Sequence, residues 1–251
     1  MSAPRTIEPL ISVHNLGICF RRFKLLAFSN RTRQYWALSD VSFNVYAGET
    51  VGIIGKNAAG KTTLLRALAG IIEPDRGTIT RADISISLLS LQVGFIPHLS
   101  GCENAILSAM LLGLTKREAT AQLSRITEFS ELGEFMEEPI STYSAGMRAR
   151  LGFSVAYYAA PDVLLIDEAL GVGDRDFRAK SADAIREIID SNRTVILVSH
   201  DMGTVRQLCD RVVWIDEGKT RQIGTPDAVI QAHNEYFDHV VKRPLRSNLQ
   251  C

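Results

Sequence analysis

The sequence predicts an α/β fold in which a helical insert interrupts a core of strands. Three short apolar runs have the length and composition of buried strands, and each ends at glycine or polar residues: residues 51–54, 163–166 and 194–198. Between the first and second runs, from Gly101 to about Ala160, the chain becomes helical in character. With 251 residues, of which 46% are hydrophobic, the chain can bury the core that such a fold requires.

The composition argues against several classes of protein. Lys+Arg and Asp+Glu number 28 each, so the chain lacks the overall basic charge that non-specific nucleic-acid binding requires. Four scattered cysteines, with no C-x-x-C pair, predict reduced thiols rather than a disulfide framework or a zinc site: Cys19, Cys102, Cys209 and Cys251. No apolar stretch approaches the roughly 20 residues that cross a bilayer, so we expect another chain to supply any membrane crossing.

The N-terminal part predicts two strands, a loop and a helix. Strands are expected at residues 11–16 and 41–45, and the second alternates apolar and polar residues as a half-buried strand does. The basic, aromatic-containing stretch from Arg21 to Tyr35 is interpreted as a loop between them. After a glycine-rich turn, a helix is expected from about Lys61 to Ala69.

The rest of the chain contains signals for helix caps and turns. Thr115 and Glu118 fit a capping box, in which each side chain satisfies a free N–H group at the start of a helix. A turn at Glu217-Gly218, flanked by apolar runs, predicts a hairpin, and Thr225-Pro226 opens a last helix. We expect one domain at 11–241, with a helical subdomain at about 101–160, between tails at 1–10 and 242–251.

Residues 55–62 fit the phosphate-loop pattern G-x-x-x-x-G-K-[ST] without a mismatch. Glycines let the backbone curl so that successive N–H groups face phosphate oxygens, and the positive end of the following helix favours the same anion. Lys61 is expected to reach the β- and γ-phosphates, and the Thr62 hydroxyl to bind Mg²⁺. The expected nucleotide-binding residues of the loop are Gly55, Lys56, Asn57, Ala58, Ala59, Gly60, Lys61, Thr62 and Thr63.

The other two apolar runs end in residues that could complete this site. Ligands of open parallel sheets lie at the carboxyl ends of the strands, where neighbouring runs would meet. Asp167 would then hold Mg²⁺, Glu168 would polarise the water that attacks the γ-phosphate, and His200 would contact that phosphate. The alternatives are a solvated Asp-Glu turn and an ordinary turn histidine.

Residues 143–147, Tyr-Ser-Ala-Gly-Met, resemble the signature motif of ABC-transporter ATPases, whose usual form is Leu-Ser-Gly-Gly-Gln. This variant, followed by Arg-Ala-Arg-Leu, is similar to the ATPases of O-antigen, capsular polysaccharide and teichoic-acid exporters. Further stretches match the same branch at residues 36–38, 94–97, 101–104 and 165–174. The resemblance covers nearly the whole chain, from about Ile11 to Tyr236.

The resemblance implies a P-loop NTPase core of the ABC type, with an N-terminal antiparallel β-subdomain and a helical insert subdomain. It implies ATP hydrolysis by two head-to-tail copies, in which Ser144 and Gly146 of one close on the γ-phosphate held by Lys61 of the other. The implied partner is a transmembrane permease subunit rather than nucleic acid, and the implied place is the cytoplasmic face of the inner membrane. The implied cargo is a lipid-linked polysaccharide.

Four points stay open. Ala58 replaces a usual glycine, which is tolerable if its φ is negative. Gln92 lies in the segment of the glutamine that links Mg²⁺ to the permease, with a plain loop glutamine as the alternative. The aromatic that stacks on adenine is Phe20, Tyr35 or Trp36, although core packing explains these three equally well. Residues 105–112 would either receive a partner helix or form a buried helix of the insert.

Other functions explain less of the sequence. A soluble ABC-type ATPase acting on nucleic acid or ribosomes generally has two fused ATP modules or a long coiled-coil insert. A P-loop kinase would explain residues 55–62 but would leave Tyr143–Met147 and His200 without a role. An exporter of teichoic acid, lipid or drug is a closer alternative. Because the chain ends too soon for the C-terminal sugar-binding domain of longer members, the resemblance implies that the permease chiefly recognises the substrate.

Overall fold

The structure is a computed structural model that describes residues 8–22, 33–89, 94–167 and 175–241. Nine strands of these residues form one sheet in the order β4-β1-β2-β9-β8-β3-β7-β6-β5. The strands are β1 (Ile11–Arg22), β2 (Arg33–Val45), β3 (Thr50–Ile54), β4 (Arg76–Arg81), β5 (Ile86–Leu89), β6 (Val163–Ile166), β7 (Thr194–Val198), β8 (Arg211–Asp216) and β9 (Lys219–Gly224). The α/β class expected from the sequence is confirmed.

Strands β8, β3, β7, β6 and β5 are parallel to one another and form the centre of the fold. Every residue of β3, β6 and β7 is buried. Strands covered on both faces have continuous apolar runs rather than alternation, which is why these three could be recognised from the sequence. They are also direct neighbours, as the expected site requires.

The remaining strands pair antiparallel, apart from a short parallel pairing of β2 with β9 at Asp40 and Lys219. Strand β1 lies between β2 and β4, which gives the antiparallel N-terminal sheet that the family resemblance implied. The predicted hairpin is formed by β8 and β9, and its two turn residues, Glu217 and Gly218, have φ of 49° and 73°. Two positive φ values are typical of the tight turn that matches the twist of a hairpin.

The loop expected from Arg21 to Tyr35 is shorter than predicted. Strand β1 continues to Arg22, and β2 begins at Arg33, with Phe20 opposite Tyr35. The interpretation failed because both side chains are exposed, 43% for Phe20 and 51% for Tyr35, so this end of the hairpin lacks the alternation of a half-buried strand. Residues 23–32 lie outside the described residues.

Helices cover both faces of the sheet and form the insert. They are α1 (Lys61–Leu68), α2 (Gly101–Leu111), α3 (Lys116–Ser130), α4 (Ala145–Ala159), α5 (Arg175–Asp190), α6 (Met202–Leu208) and α7 (Pro226–Val241). The capping box at α3 is confirmed, since Thr115 N–H donates to Glu118 Oε2 (2.8 Å) and Glu118 N–H to Thr115 Oγ1 (3.3 Å). Ser100 and Glu103 form a second box, which the sequence interpretation missed, at the start of α2. No helix in the described part is long and apolar enough to cross a membrane.

The insert has a core of its own around α2, α3 and α4. Ala105 and Ala109 of α2 are buried in it, whereas Leu111 is 71% exposed. The interpretation of 105–112 as a buried helix therefore holds for one face only. Helix α4 joins this core to the sheet, because Leu151 packs in the insert and Phe153 packs in the cluster beside the sheet.

We expect Asn104→Ala to destabilise the insert by about 2–3 kcal/mol. The fully buried Asn104 amide donates to the carbonyls of Ile96, Leu99 and Ser100, and its oxygen accepts the Ile96 N–H at 2.7 Å. The alanine variant leaves the Ile96 N–H unpaired and removes a second hydrogen bond from each of the three carbonyls, which keep their backbone donors. The free energy of unfolding in a denaturant titration measures the loss.

The control for this variant is Asn234→Ala, on the exposed surface of α7. Its free energy of unfolding should stay within about 0.5 kcal/mol of the parent. An equally small change in Asn104→Ala would contradict a structural role for the buried amide.

Candidate functional site

The phosphate loop connects the end of β3 to the start of α1. Gly55 and Gly60 have φ of 153° and 98°. A Cβ atom at Gly55 would lie 2.1 Å from the carbonyl oxygen of Ile215, and one at Gly60 would lie 2.4 Å from that of Ala37. Because backbone atoms of β8 and β2 leave no space for a side chain at Gly55 and Gly60, only glycine fits at either position.

Lys61, the first residue of α1, places a buried positive charge inside the loop. Its side chain is 6% exposed, and Nζ donates hydrogen bonds to the carbonyl oxygens of Gly55 (2.8 Å) and Lys56 (2.9 Å). A buried ammonium needs such acceptors or an anion to offset its lost hydration. Together with the N-terminus of α1, this charge makes the loop suitable for phosphate.

The condition given for tolerating alanine at position 58, a negative φ, is not met. The turn of the loop requires a left-handed residue at this position, and Ala58 adopts φ 64°. An alanine in that region is strained by roughly 1–2 kcal/mol relative to its usual conformation. The side chain is exposed, and Tyr35 Oη donates to the Ala58 carbonyl oxygen at 3.4 Å.

Asp167 and His200 lie at the same edge of the sheet as the loop. Ile53 of β3 is opposite Val198 of β7, and Ile166 of β6 is opposite Leu197, so the three strands end close together. A cavity of about 530 Å³ lies at this edge. Its lining residues are Phe20, Tyr35, Ala37, Asn57, Ala58, Gly60, Lys61, Thr62, Thr63, Asp167 and His200.

Of the three polar residues expected to meet the phosphate loop at this edge, Asp167 and His200 do so. Glu168, the expected general base, lies outside the described residues, and its role stays a prediction. Ala37 also lines the cavity but was not expected to, because an alanine within a strand gives no side-chain signal for a site; its carbonyl oxygen lies near Gly60.

Hydrogen bonds around the next residue fix the turn that carries His200. Asp201 caps α6, where its carboxylate accepts the Thr204 hydroxyl (2.6 Å) and the Gly203 N–H (2.9 Å). These two bonds, the Thr204 hydroxyl first, hold the pKa of Asp201 below its usual value. The Asp201 N–H donates to Ser199 Oγ at 3.1 Å. These hydrogen bonds fix the turn after β7, and the exposed imidazole of His200 lines the cavity from this turn.

The donor set of the cavity fits Mg²⁺ beside a nucleotide. Thr62 and Asp167 offer a hydroxyl and a carboxylate in the same cavity. Mg²⁺ commonly binds one or two protein oxygens and completes its shell with water and phosphate oxygens. Among the residues that the structure describes, no three His, Cys, Asp or Glu side chains cluster as metal ligands. Gln92, the third expected ligand, lies outside those residues.

Of the three aromatic candidates, two face this cavity. Phe20 and Tyr35 line it as a cross-strand pair. Trp36 is turned away, and the Arg76 guanidinium lies 4.3 Å from its ring centroid. Trp36 instead lines a second cavity, of about 300 Å³, which Lys56 and Ala59 also line and which shares Tyr35, Asn57 and Ala58 with the larger one. Of the loop residues expected to bind nucleotide, Gly55, Lys56 and Ala59 are not among those that line the larger cavity.

The signature segment lies at the start of α4. Ser144 is the N-cap, and its exposed hydroxyl oxygen accepts the Met147 N–H at 3.1 Å. Tyr143 anchors the segment, since its hydroxyl donates to the Phe135 carbonyl and burial raises the pKa of Tyr143 to about 12. Neither Ser144 nor Gly146 is among the described residues that line the two cavities. One chain alone does not bring them to the phosphate loop.

Comparisons with known proteins agree with this architecture. A family model described as ABC transporter matches residues 38–171. An O-antigen export system ATP-binding protein RfbB of Klebsiella pneumoniae is 47% identical over 215 residues, which cover 86% of this chain and 86% of that protein. A teichoic acids export ATP-binding protein TagH of Lactococcus lactis subsp. lactis is 40% identical over 216 residues, covering 86% of this chain and 46% of that protein.

Two solved structures share the fold. An ATP binding subunit of an ABC transporter has a TM-score of 0.73 at 22% identity, covering 93% of this chain and 100% of that chain. A dimeric post-hydrolysis state of the ATP-binding cassette MJ0796, bound to ADP and Pi, has a TM-score of 0.70 at 20% identity, covering 86% of this chain and 98% of that chain. At these identities, the likeness establishes the fold alone.

We expect Ala58→Gly to raise the free energy of unfolding by up to about 1 kcal/mol. Glycine removes the strain of the left-handed conformation, and its greater freedom in the unfolded chain offsets only part of that gain. Denaturant titration measures the change.

The adjacent alanine gives the matched control. Ala59 is 5% exposed and is not among the residues with positive φ, so Ala59→Gly removes a buried methyl and adds backbone freedom. Its free energy of unfolding should fall by about 1 kcal/mol. Two changes of the same sign would contradict the backbone assignment at Ala58.

Proposed function

The chain belongs to the ABC transporter family, and we propose that it hydrolyses ATP to power the export of a lipid-linked polysaccharide of the O-antigen type. The resemblance predicted from the signature motif is confirmed. One observation carries the proposal: the loop that holds Lys61 shares a cavity with Asp167 and His200 in a chain that is 47% identical to an O-antigen export ATP-binding protein. A teichoic acid polymer is the second candidate cargo, since a teichoic acids export protein is 40% identical.

The residues of the cavity suit the hydrolysis of a nucleoside triphosphate. In this proposal, the loop and the N-terminus of α1 bind the phosphates, and Lys61 exchanges its two carbonyl acceptors for phosphate oxygens. Thr62 and Asp167 would hold Mg²⁺, which neutralises charge on the β- and γ-phosphates when it is bound. His200 would contact the γ-phosphate, and Glu168 would orient and deprotonate the attacking water. Phe20 or Tyr35 would stack on the adenine.

A second copy of the chain would complete each site. The start of α4 offers an exposed hydroxyl and free N–H groups, which suit an anion, but within one chain these lie apart from the larger cavity. In a two-fold pair, Ser144 and Gly146 of each copy would contact the γ-phosphate bound by the other. Hydrolysis would remove that shared contact and loosen the pair, which converts the reaction into movement.

The partner in transport would be a transmembrane permease. The relative named for an O-antigen export system supports this assignment, because export needs a path through the bilayer. We place the chain at the cytoplasmic face of the inner membrane, bound peripherally to the permease, with no nucleic-acid partner. Gln92 is proposed as the residue that links Mg²⁺ to this partner.

We expect Glu168→Gln to lower the ATP turnover rate by at least about 100-fold, because a neutral amide cannot accept the proton of the attacking water. Nucleotide binding should persist, so the variant should accumulate as an ATP-dependent dimer in size-exclusion chromatography. Glu217→Gln is the control. This exposed carboxylate follows β8 at the edge where the carboxyl ends of the parallel strands lie, and it has no assigned role. Unchanged turnover in Glu168→Gln would contradict the assigned base.

Reconstitution with the permease in lipid vesicles tests the cargo. We expect a lipid-linked O-antigen-type glycan to stimulate ATP turnover, and the same lipid without the glycan not to do so. Lys61→Ala should abolish both basal and stimulated turnover, because the phosphates lose their buried positive partner. ATP turnover that a teichoic acid polymer stimulates and the O-antigen-type glycan does not would reject the proposed cargo while leaving the ATPase assignment in place.

A further inference from the structure

Of the residues that the structure describes, Lys56 is not among those that line the larger cavity. It lines the second cavity, and its Nζ lies 4.0 Å from the centroid of the Phe237 ring. Phe237 belongs to α7, the last helix of the described chain. The nearby carboxylate of Asp216 is paired with Arg221 at 3.4 Å, so the contact that the structure gives the Lys56 ammonium is the face of an aromatic ring. This geometry is that of a cation–π interaction.

The Phe237 ring is fixed relative to the strand that carries the loop. Its centroid lies 6.1 Å from that of Trp214 and 4.7 Å from that of His233, in edge-to-face arrangements. Trp214 is 5% exposed and lies on β8 opposite Ile54, the last residue of β3. Strand β3 ends at the phosphate loop, and its neighbour β8 holds the Phe237 ring through Trp214.

The backbone of Lys56 itself helps to set the shape of the loop. Its carbonyl oxygen accepts a hydrogen bond from Lys61 Nζ at 2.9 Å and another from the Ala59 N–H at 3.2 Å. A shift of Lys56 would move one of the acceptors of the buried Lys61 ammonium. It would also disturb the turn from which α1 begins.

We propose that Lys56 and Phe237 are positioning residues: the ring on α7 holds the Lys56 ammonium and thereby keeps the phosphate loop in the shape that receives a triphosphate. The inference rests on the proposed function only in taking this loop as the ATP site. Neither Lys56 nor Phe237 is among the described residues that line the larger cavity. A loop already held in shape loses less conformational freedom on binding, so the contact raises ATP affinity.

The test is a double-variant cycle with Lys56→Gln, Phe237→Leu and both together. The dissociation constant of a hydrolysis-resistant ATP analogue with Mg²⁺ should rise about two- to fivefold in each single variant, as expected for an exposed cation–π contact. The double variant should bind no more weakly than the weaker single variant. The rate at saturating ATP should change less than twofold. Lys56→Arg should keep the parental affinity, because a guanidinium also binds a ring face.

Tyr236→Leu is the matched control. It removes a neighbouring ring that packs on Trp214 at 5.4 Å and on Phe237 at 5.0 Å, but whose cationic neighbour is Arg221 rather than Lys56. Phe237 keeps its contacts with Trp214 and His233 in this variant, so its ring should stay beside Lys56. Its affinity should match that of the parent. The inference would be overturned if the affinity losses of Lys56→Gln and Phe237→Leu were additive in the double variant, or if Tyr236→Leu lost as much affinity for the ATP analogue. If the parent protein bound no ATP analogue, the proposed function and this inference would both fail; parental binding without coupling would reject this inference alone.

Discussion

Neighbouring parallel strands bring their carboxyl ends to one edge of a sheet, and three such strands carry the chemistry of this chain. Strand β3 ends in the phosphate loop, β7 in the turn that presents His200, and β6 in Asp167. All three strands are fully buried, so their order and register are set by apolar packing on both faces. Lys61 adds a buried positive charge at the centre of the site, and the loop carbonyls offset its lost hydration.

A second constraint connects this edge to the helical insert. Helix α4 begins at Ser144, packs through Leu151 in the core of the insert, and packs through Phe153 against the cluster beside the sheet. Because one helix belongs to both cores, the Ser144 end cannot move independently of them. In the proposed dimer, the loss of a γ-phosphate contact at Ser144 would therefore shift the insert together with the sheet. Such a shift could reach a permease docked on the same chain.

The parts predicted correctly from the sequence are those with a local signal. Apolar runs located β3, β6 and β7, and the turn at Glu217-Gly218 located the β8–β9 hairpin, because turn chemistry is set by adjacent residues. The extension of β1 and β2 was missed because Phe20 and Tyr35 are exposed there and give no alternation. The positive φ of Ala58 is set by the turn of the loop itself, where the usual glycine of the family was the available signal. The orientation of Trp36 and the contact between Lys56 and Phe237 depend on elements far apart in the chain, which a local pattern does not report.

The most direct test of the shared site is to mix two inactive variants, Lys61→Ala and Ser144→Glu, and to measure ATP turnover. In a mixed dimer both defects fall in one site, and the other site combines an intact loop with an intact signature segment. Random pairing makes half of the dimers mixed, so the mixture should recover about a quarter of the parental sites, although each variant alone is inactive. Turnover of the mixture no higher than the average of the two variants would contradict a nucleotide held between two copies.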